Sequence, residues 1–219
     1  TLSSSSAASD VYKRQPLIND CVPNDLQLSE KSMLLTGSNM SGKSTFIRTV
    51  AINTLLAQTL NICFAEHFTA PFLKLYSSIR ITDNLSENTS YYLEEVLQIK
   101  KLLDASKEDI PKLFVLDEIF KGTNTEERIA AGKSILSYLN TSQNIVMVST
   151  HDIELTEMLT KNDFERYHFS ESIQNQELIF DHKLKEGPLK TKNAIKILAL
   201  YNFPKQIIKE AEMLKNKSR

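Results

Sequence analysis

Nine residues constrain the fold of this chain more than any others: Gly37-Ser38-Asn39-Met40-Ser41-Gly42-Lys43-Ser44-Thr45. They read G-x-x-x-x-G-K-S, the pattern of a loop that cradles phosphate. The apolar run Met33-Leu34-Leu35 leads in, and Phe46-Ile47-Arg48-Thr49-Val50-Ala51-Ile52 leads out with a helical pattern. Strand, glycine loop and helix in that order aim backbone N–H groups and a helix N-terminus at an anion. Gly37 and Gly42 permit backbone angles and close approach that a side chain forbids. Lys43 is placed to reach the β- and γ-phosphates of a nucleotide, and the Ser44 hydroxyl to coordinate Mg²⁺. The competing reading is a glycine-rich turn that binds nothing.

Composition narrows the setting. The chain has 219 residues, enough for one or two domains with a sizeable core. Lys and Arg number 26 against 27 Asp and Glu, a net charge of −1, so there is no global basic footprint for nucleic acid. No apolar run reaches the ~18 residues of a membrane span. Cys21 and Cys63 are isolated, with neither metal spacing nor a paired framework. They fit a reducing cytoplasmic location and read as inert packing residues. Residues 1–15 are low in complexity and lack the basic start and apolar core of a signal peptide. They read as a disordered or non-native tail, and the chain as the end of something longer.

Further along, Val22 to Leu28 reads as a short extended lead-in with turn signals at Pro23 and Asn24-Asp25. Ser32–Thr36 is a predicted strand and Gly42 to about Leu60 a helix. Residues 63–82 are mixed and broken by Pro71, with a strand-like patch at Phe72–Tyr76; Asn84–Thr89 is turn-like. Tyr91–Asp104 reads as an amphipathic helix with Leu93, Val96, Leu97, Lys100 and Leu103 on one spacing. Lys112–Glu118 carries four consecutive apolar residues, the mark of a strand buried on both faces. A helix from about Glu126 to Asn140 follows. Asn144–Ser149 is a third buried strand, then comes a helix from Ile153 to Thr160. Phe164–Phe169 and Leu178–Leu184 read as a hairpin or paired strands. Thr191–Lys217 is mostly helical, interrupted at Asn202-Phe203-Pro204. Alternating strands and helices predict an α/β fold with a mostly parallel sheet and right-handed crossovers.

Functional residues in such sheets lie at the carboxyl ends of strands. Three predicted strands end in the glycine loop, in Asp117-Glu118 and in Thr150-His151. Asp117 fits the carboxylate that holds Mg²⁺, directly or through water. Glu118 is placed to polarise a water for in-line attack, which is general-base work. His151 is placed to contact a γ-phosphate and sense its loss. Taken singly, Asp117-Glu118 also reads as the start of a solvated loop, and His151 as a loop histidine.

Together these residues carry a family resemblance. Thr36–Thr45 closely resembles the T-G-x-N-M-x-G-K-S-T of the MutS mismatch-repair ATPases. Asp117-Glu118-Ile119-Phe120-Lys121-Gly122-Thr123-Asn124-Thr125 resembles their D-E-I-x-x-G-T-x-T. Thr150-His151 with Glu154-Leu155 is similar to their T-H-x-x-E-L. Order and rough spacing agree, and Asn39-Met40 separates this family from most other phosphate-loop ATPases. The resemblance covers roughly Pro16 to Leu214.

It implies a P-loop NTPase of the ABC type, an ATPase domain over residues 16–188 that binds ATP and Mg²⁺ and works as a homodimer. The nucleotide would lie between two subunits. The partner would contribute a serine from a segment matching Asp83–Tyr92, here Ser90. The family usually has S-T-F where this chain has Ser90-Tyr91-Tyr92. Ser90 is equally a plain helix N-cap. The lead-in Val22-Pro23-Asn24-Asp25 matches residues that the family places near the adenine. Residues 189–219 resemble a C-terminal helical dimerisation segment, with Ile195, Leu198, Ala199, Ile207, Ile208, Ala211 and Leu214 available to pack on a partner. From Lys183 onward ten Lys and Arg face three Glu, which suits either DNA phosphates or a solvated helix face. The domains with which MutS proteins read mismatches and grip DNA are not in these residues, and DNA is expected as a partner of the full-length protein. Two other readings stay open: a nucleotide-gated dimerisation module with little turnover, and an ATPase of the transporter or chromosome-maintenance kind. The latter carries an L-S-G-G-Q signature, which Glu87-Asn88-Thr89-Ser90 is not.

Overall fold

The computed structural model describes residues 21–28, 32–79, 91–120, 123–141, 143–159, 163–175, 177–189 and 193–217. Its centre is a strand buried on both faces. Strand β1 (Ser32–Thr36) exposes none of its five residues, and neither does β3 (Lys112–Asp117) among its six. In β4 (Ile145–Thr150) all but the first are buried. These are the apolar runs that a sheet covered by helices on both sides requires. With β2 (Lys74–Ser78), β5 (Phe164–His168) and β8 (Lys185–Glu186) they form one sheet in the order β2-β3-β4-β1-β5-β8. Every pairing is parallel except that of β5 with β8.

Side chains alternate across the sheet and so build two cores. Met33, Leu35, Leu113, Val115 and Met147 face helix α1 (Lys43–Leu60), where they meet Phe46, Ile47 and Val50. Leu34, Phe114, Leu116, Val146 and Val148 face the opposite side. There they meet α2 (Tyr91–Ala105) through Ile99 and Leu102, α3 (Thr125–Leu139) through Leu136 and Leu139, and α4 (Ile153–Met158) through Leu155. One buried charge is satisfied locally. The Lys112 ammonium, fully buried at the start of β3, donates to the carbonyls of Glu108 and Ile110 at 2.6 Å each. Cys21 and Cys63 are free thiols, half-buried and outside both apolar cores.

Three expectations change. The strand predicted at Phe72–Tyr76 begins two residues later. Gln58 holds both the N–H and the carbonyl of Leu73, at 2.6 and 3.0 Å, and so withdraws that residue from the ladder. In α2 Val96 and Leu103 of the expected stripe pack against the core, but the fully buried positions are Ile99 and Leu102, and Leu93 and Leu97 are exposed. The segments 164–169 and 178–184 do not pair with each other. β5 lies beside β1, and β7 (Glu177–Phe180) forms a two-stranded ribbon with β6 (Glu171–Gln174). The interrupted C-terminal helix is present as α5 (Ala194–Leu200) and α6 (Lys205–Lys217), broken at Asn202, whose φ is 56°. Tyr201, Phe203, Ile207, Met213 and Leu214 on this pair are exposed. The expected turn at 84–89 and Ser90 lie outside the described residues, as do residues 1–20. No helix among the described residues is long and apolar enough to cross a membrane.

Candidate functional site

Register brings the three chemistry-bearing strand ends together. Strands β3, β4 and β1 are consecutive in the sheet, with Asp117 opposite Ser149 and Thr36 opposite Thr150. The glycine loop, the carboxylate pair and His151 therefore leave the same edge of the sheet side by side, where open α/β sheets bind ligands.

The loop from Gly37 to Gly42 depends on its glycines. A Cβ at Gly37 (φ 151°) would lie 2.7 Å from the Phe169 carbonyl and 2.9 Å from the Ser41 hydroxyl. Gly42, at φ 112°, is the residue immediately before α1. Lys43 is buried, and its ammonium donates to the carbonyls of Gly37 and Ser38 at 2.8 and 2.9 Å, so the loop curls around a positive charge. Burial pulls the Lys43 pKa below its ordinary value, opposed by the negative charges of Asp117 and Glu171. Asn39, Met40 and Thr45 point into solvent, and Met40 takes a φ of 69°. Ser41 is buried, its hydroxyl donating to the Ser38 carbonyl at 2.7 Å.

Ser44 at the start of α1 donates to Asp117 Oδ1 at 2.9 Å. Ser149 donates to the same oxygen, and Arg48 lies 3.7 Å from Asp117 Oδ2. A hydroxyl and a carboxylate meeting beside the glycine loop are oxygen donors of the kind that Mg²⁺ takes. Glu118 follows in a left-handed conformation, φ 58°, its N–H bonded to the Ser149 carbonyl at 3.0 Å. Phe120, at φ 57°, donates its N–H to the Glu95 carboxylate of α2. Left-handed non-glycine residues cost about 1–3 kcal/mol each and persist where the surroundings over-determine them, as at functional sites. The Glu118 side chain is nearly buried; His151 Nδ1 stands 3.6 Å from its Oε1, and His151 Nε2 stands 3.7 Å from Asp152 Oδ1.

Arg48, Glu171 and His182, which none of the motifs includes, also stand at this edge, together with Asn24 of the expected lead-in. Arg48 follows Ser44 by four positions and shares its helix face, a spacing that marks it. Glu171 accepts from the Ser38 hydroxyl at 2.7 Å and from Asn193, which precedes α5, at 3.2 Å. His182 sets Nδ1 3.0 Å from the Ser41 carbonyl and stacks on Phe180. Asn24 accepts from the Leu184 N–H and donates to the His182 carbonyl, which ties the lead-in to this side of the loop. Contacts across more than 130 residues leave no local signal.

Comparisons with known proteins identify a family. MutS domain V matches residues 33–218. The chain is 33% identical over 219 residues to the DNA mismatch repair protein MutS of Staphylococcus haemolyticus, covering 98% of this chain and 25% of that protein. It is 33% identical over 211 residues to the MutS of Staphylococcus epidermidis, covering 94% and 24%. Against a Staphylococcus aureus MutS it is 32% identical over 215 residues, covering 93% and 24%. The chain thus spans about a quarter of the length of these relatives. With domain V matched over most of its length, the chain belongs to the MutS family.

Proposed function

We propose that this chain is a P-loop, ABC-type motor domain that binds and hydrolyses ATP. The observation that carries the reading is the meeting of Ser44 with Asp117 beside the Lys43 loop, with Glu118 and His151 next to it. ATP is the substrate. Lys43 and the loop amides would hold its β- and γ-phosphates. Ser44 and Asp117 would hold Mg²⁺, which when bound neutralises phosphate charge. Glu118 would take the proton of the attacking water as the bond between the γ-phosphorus and its bridging oxygen breaks, leaving ADP and inorganic phosphate. His151, within ion-pair distance of Glu118, would contact the γ-phosphate and orient that carboxylate. His182 and the lead-in 22–25 border the loop where a base would lie.

Residues 16–188 form the catalytic unit in this reading, and residues 189–219 the helical segment through which a homodimer closes. Ser90 would reach the nucleotide of the partner. The relatives' name suggests that the motor serves DNA mismatch repair in a cytoplasmic full-length protein, with DNA held by other domains. Glu118→Gln tests the chemistry. It should leave ATP binding intact and lower turnover by about 10²–10⁴-fold, the usual contribution of a general base. Unchanged hydrolysis would remove Glu118 from that role. A wild-type protein that binds ATP and dimerises without turnover would instead be a nucleotide-gated dimerisation module.

A further inference from the structure

We propose that Arg128 and Asp152 form a positioning pair that holds His151, and through it Glu118, in working geometry. The inference rests on the hydrolytic reading above. Arg128 lies in the first turn of α3, and Asp152 directly follows His151 at the end of β4. The guanidinium grips both carboxylate oxygens, with Nε to Oδ2 at 2.9 Å and Nη2 to Oδ1 at 2.7 Å. That same Oδ1 stands 3.7 Å from His151 Nε2, and the other ring nitrogen stands 3.6 Å from Glu118. Glu118, His151, Asp152 and Arg128 thus form one chain of charged and polar groups joining the ends of β3 and β4 to the start of α3.

Three observations separate this arrangement from a plain staple. First, Asp152 occupies the N-cap position of α4 yet makes no side-chain capping bond. An aspartate there ordinarily accepts from the helix amides, but this one is turned to Arg128. Secondly, the side chains of Arg128 and Asp152 are only 13% and 9% exposed. Withdrawing two charges from water is a poor route to stability, because desolvation offsets their attraction. The two helices α3 and α4 already share an apolar core, where Leu136 and Leu139 of α3 cluster with Leu155 of α4. Thirdly, the His151 side chain is 47% exposed. So open a ring takes its orientation from polar neighbours as well as packing, and the bidentate arginine fixes one carboxylate within ion-pair distance of it when the ring is protonated. The Asp152 N–H, bonded to the Thr150 hydroxyl at 3.0 Å, fixes the backbone beneath it.

The test measures ATP turnover and nucleotide affinity in the full chain, below the melting temperature of each variant. Arg128→Ala and Asp152→Asn should each lower kcat by about 10–100-fold, as loss of an orienting partner does, with nucleotide Kd within about threefold of wild type. The charge-swapped double variant Arg128→Asp, Asp152→Arg restores an ion pair between the same positions but sets a cation beside His151. The positioning role predicts recovered melting temperature without recovered turnover; turnover returning with stability would overturn it. Should the swap fail to fold, Arg128→Lys keeps the charge without the two-point grip. It should lose turnover at unchanged Kd, and wild-type kcat in that variant would overturn the proposal. Wild-type protein without turnover sinks both readings, whereas turnover that Glu118→Gln abolishes and Arg128→Ala leaves alone sinks only this one.

Discussion

Ser44 donates its hydroxyl to Asp117 Oδ1 at 2.9 Å although 73 positions separate them in the chain. The strand register of β1, β4 and β3 makes the meeting, and Arg48 faces the other Asp117 oxygen at 3.7 Å. If this is the Mg²⁺ end of the site, Ser44→Ala and Asp117→Asn should raise the Mg²⁺ concentration needed for half-maximal turnover. ATP binding measured without Mg²⁺ should change far less. An Mg²⁺ titration of turnover checks this, and an unchanged midpoint in both variants argues against these two residues as ligands.

Gly37 offers a second prediction. A methyl group there meets the Phe169 carbonyl at 2.7 Å and the Ser41 hydroxyl at 2.9 Å, in a backbone conformation that disfavours side chains. Phe169 is itself bonded through its N–H to the Thr36 carbonyl, so it cannot withdraw without opening the edge of the sheet. Gly37→Ala should lower stability by about 1–3 kcal/mol, the usual cost of overpacking. It should weaken nucleotide binding beyond that cost, because the loop must shift. Urea unfolding and a fluorescent-nucleotide titration measure the two effects separately.

Much of this frame was legible because burial on both faces writes itself into sequence as unbroken apolar runs. Met33–Leu35 and Leu113–Leu116 showed β1 and β3 for that reason, and the glycine pattern showed the turn between β1 and α1. The phase of α2 was legible only in part: Val96 and Leu103 pack inward as expected, whereas Leu93 and Leu97 do not. Glu95, read as lying on another face, accepts from the Phe120 N–H, and Ile99 and Leu102, at i+4 and i+7 from it, are the buried positions. The ribbon of β6 with β7 was missed because Glu171–Gln174 is largely exposed and carries no apolar pattern. The site divides in the same way. Lys43, Ser44, Asp117, Glu118 and His151 sit in local motifs, whereas Arg128, Glu171 and His182 gain meaning only from contacts between distant segments.

Lys43 gives a pH prediction. Burial lowers its pKa in the folded protein, so between the folded and unfolded values the unfolded chain binds more protons. Stability then rises with pH across that window and is reduced by the full penalty below it. Lys43→Met should flatten the slope, read from urea unfolding at neutral pH and near pH 10. Nucleotide phosphates would restore the proton, so ATP affinity should fall over the same alkaline range. Calorimetry in buffers of different ionisation enthalpy should show proton uptake on binding, and no uptake would place the phosphates away from this ammonium.

The strongest remaining prediction concerns a second copy of the chain. The helix pair α5 and α6 leaves Tyr201, Ile207, Met213 and Leu214 more exposed than not or nearly so, at 68%, 47%, 64% and 58%. Apolar groups clustered on one short helical pair are the kind of surface that buries itself on association. Glu171 bonds both Ser38 of the glycine loop and Asn193 before α5, so the pair is physically joined to the site. If the site is completed by the partner, turnover per chain should rise with protein concentration and level off once the dimer is populated. Ile207→Glu with Leu214→Glu should move that rise to higher concentration while leaving the plateau within about threefold, because neither residue belongs to the nucleotide loop. Sedimentation with and without ATP should show the same shift. Turnover per chain that stays flat over a wide dilution would mean that each chain hydrolyses ATP alone.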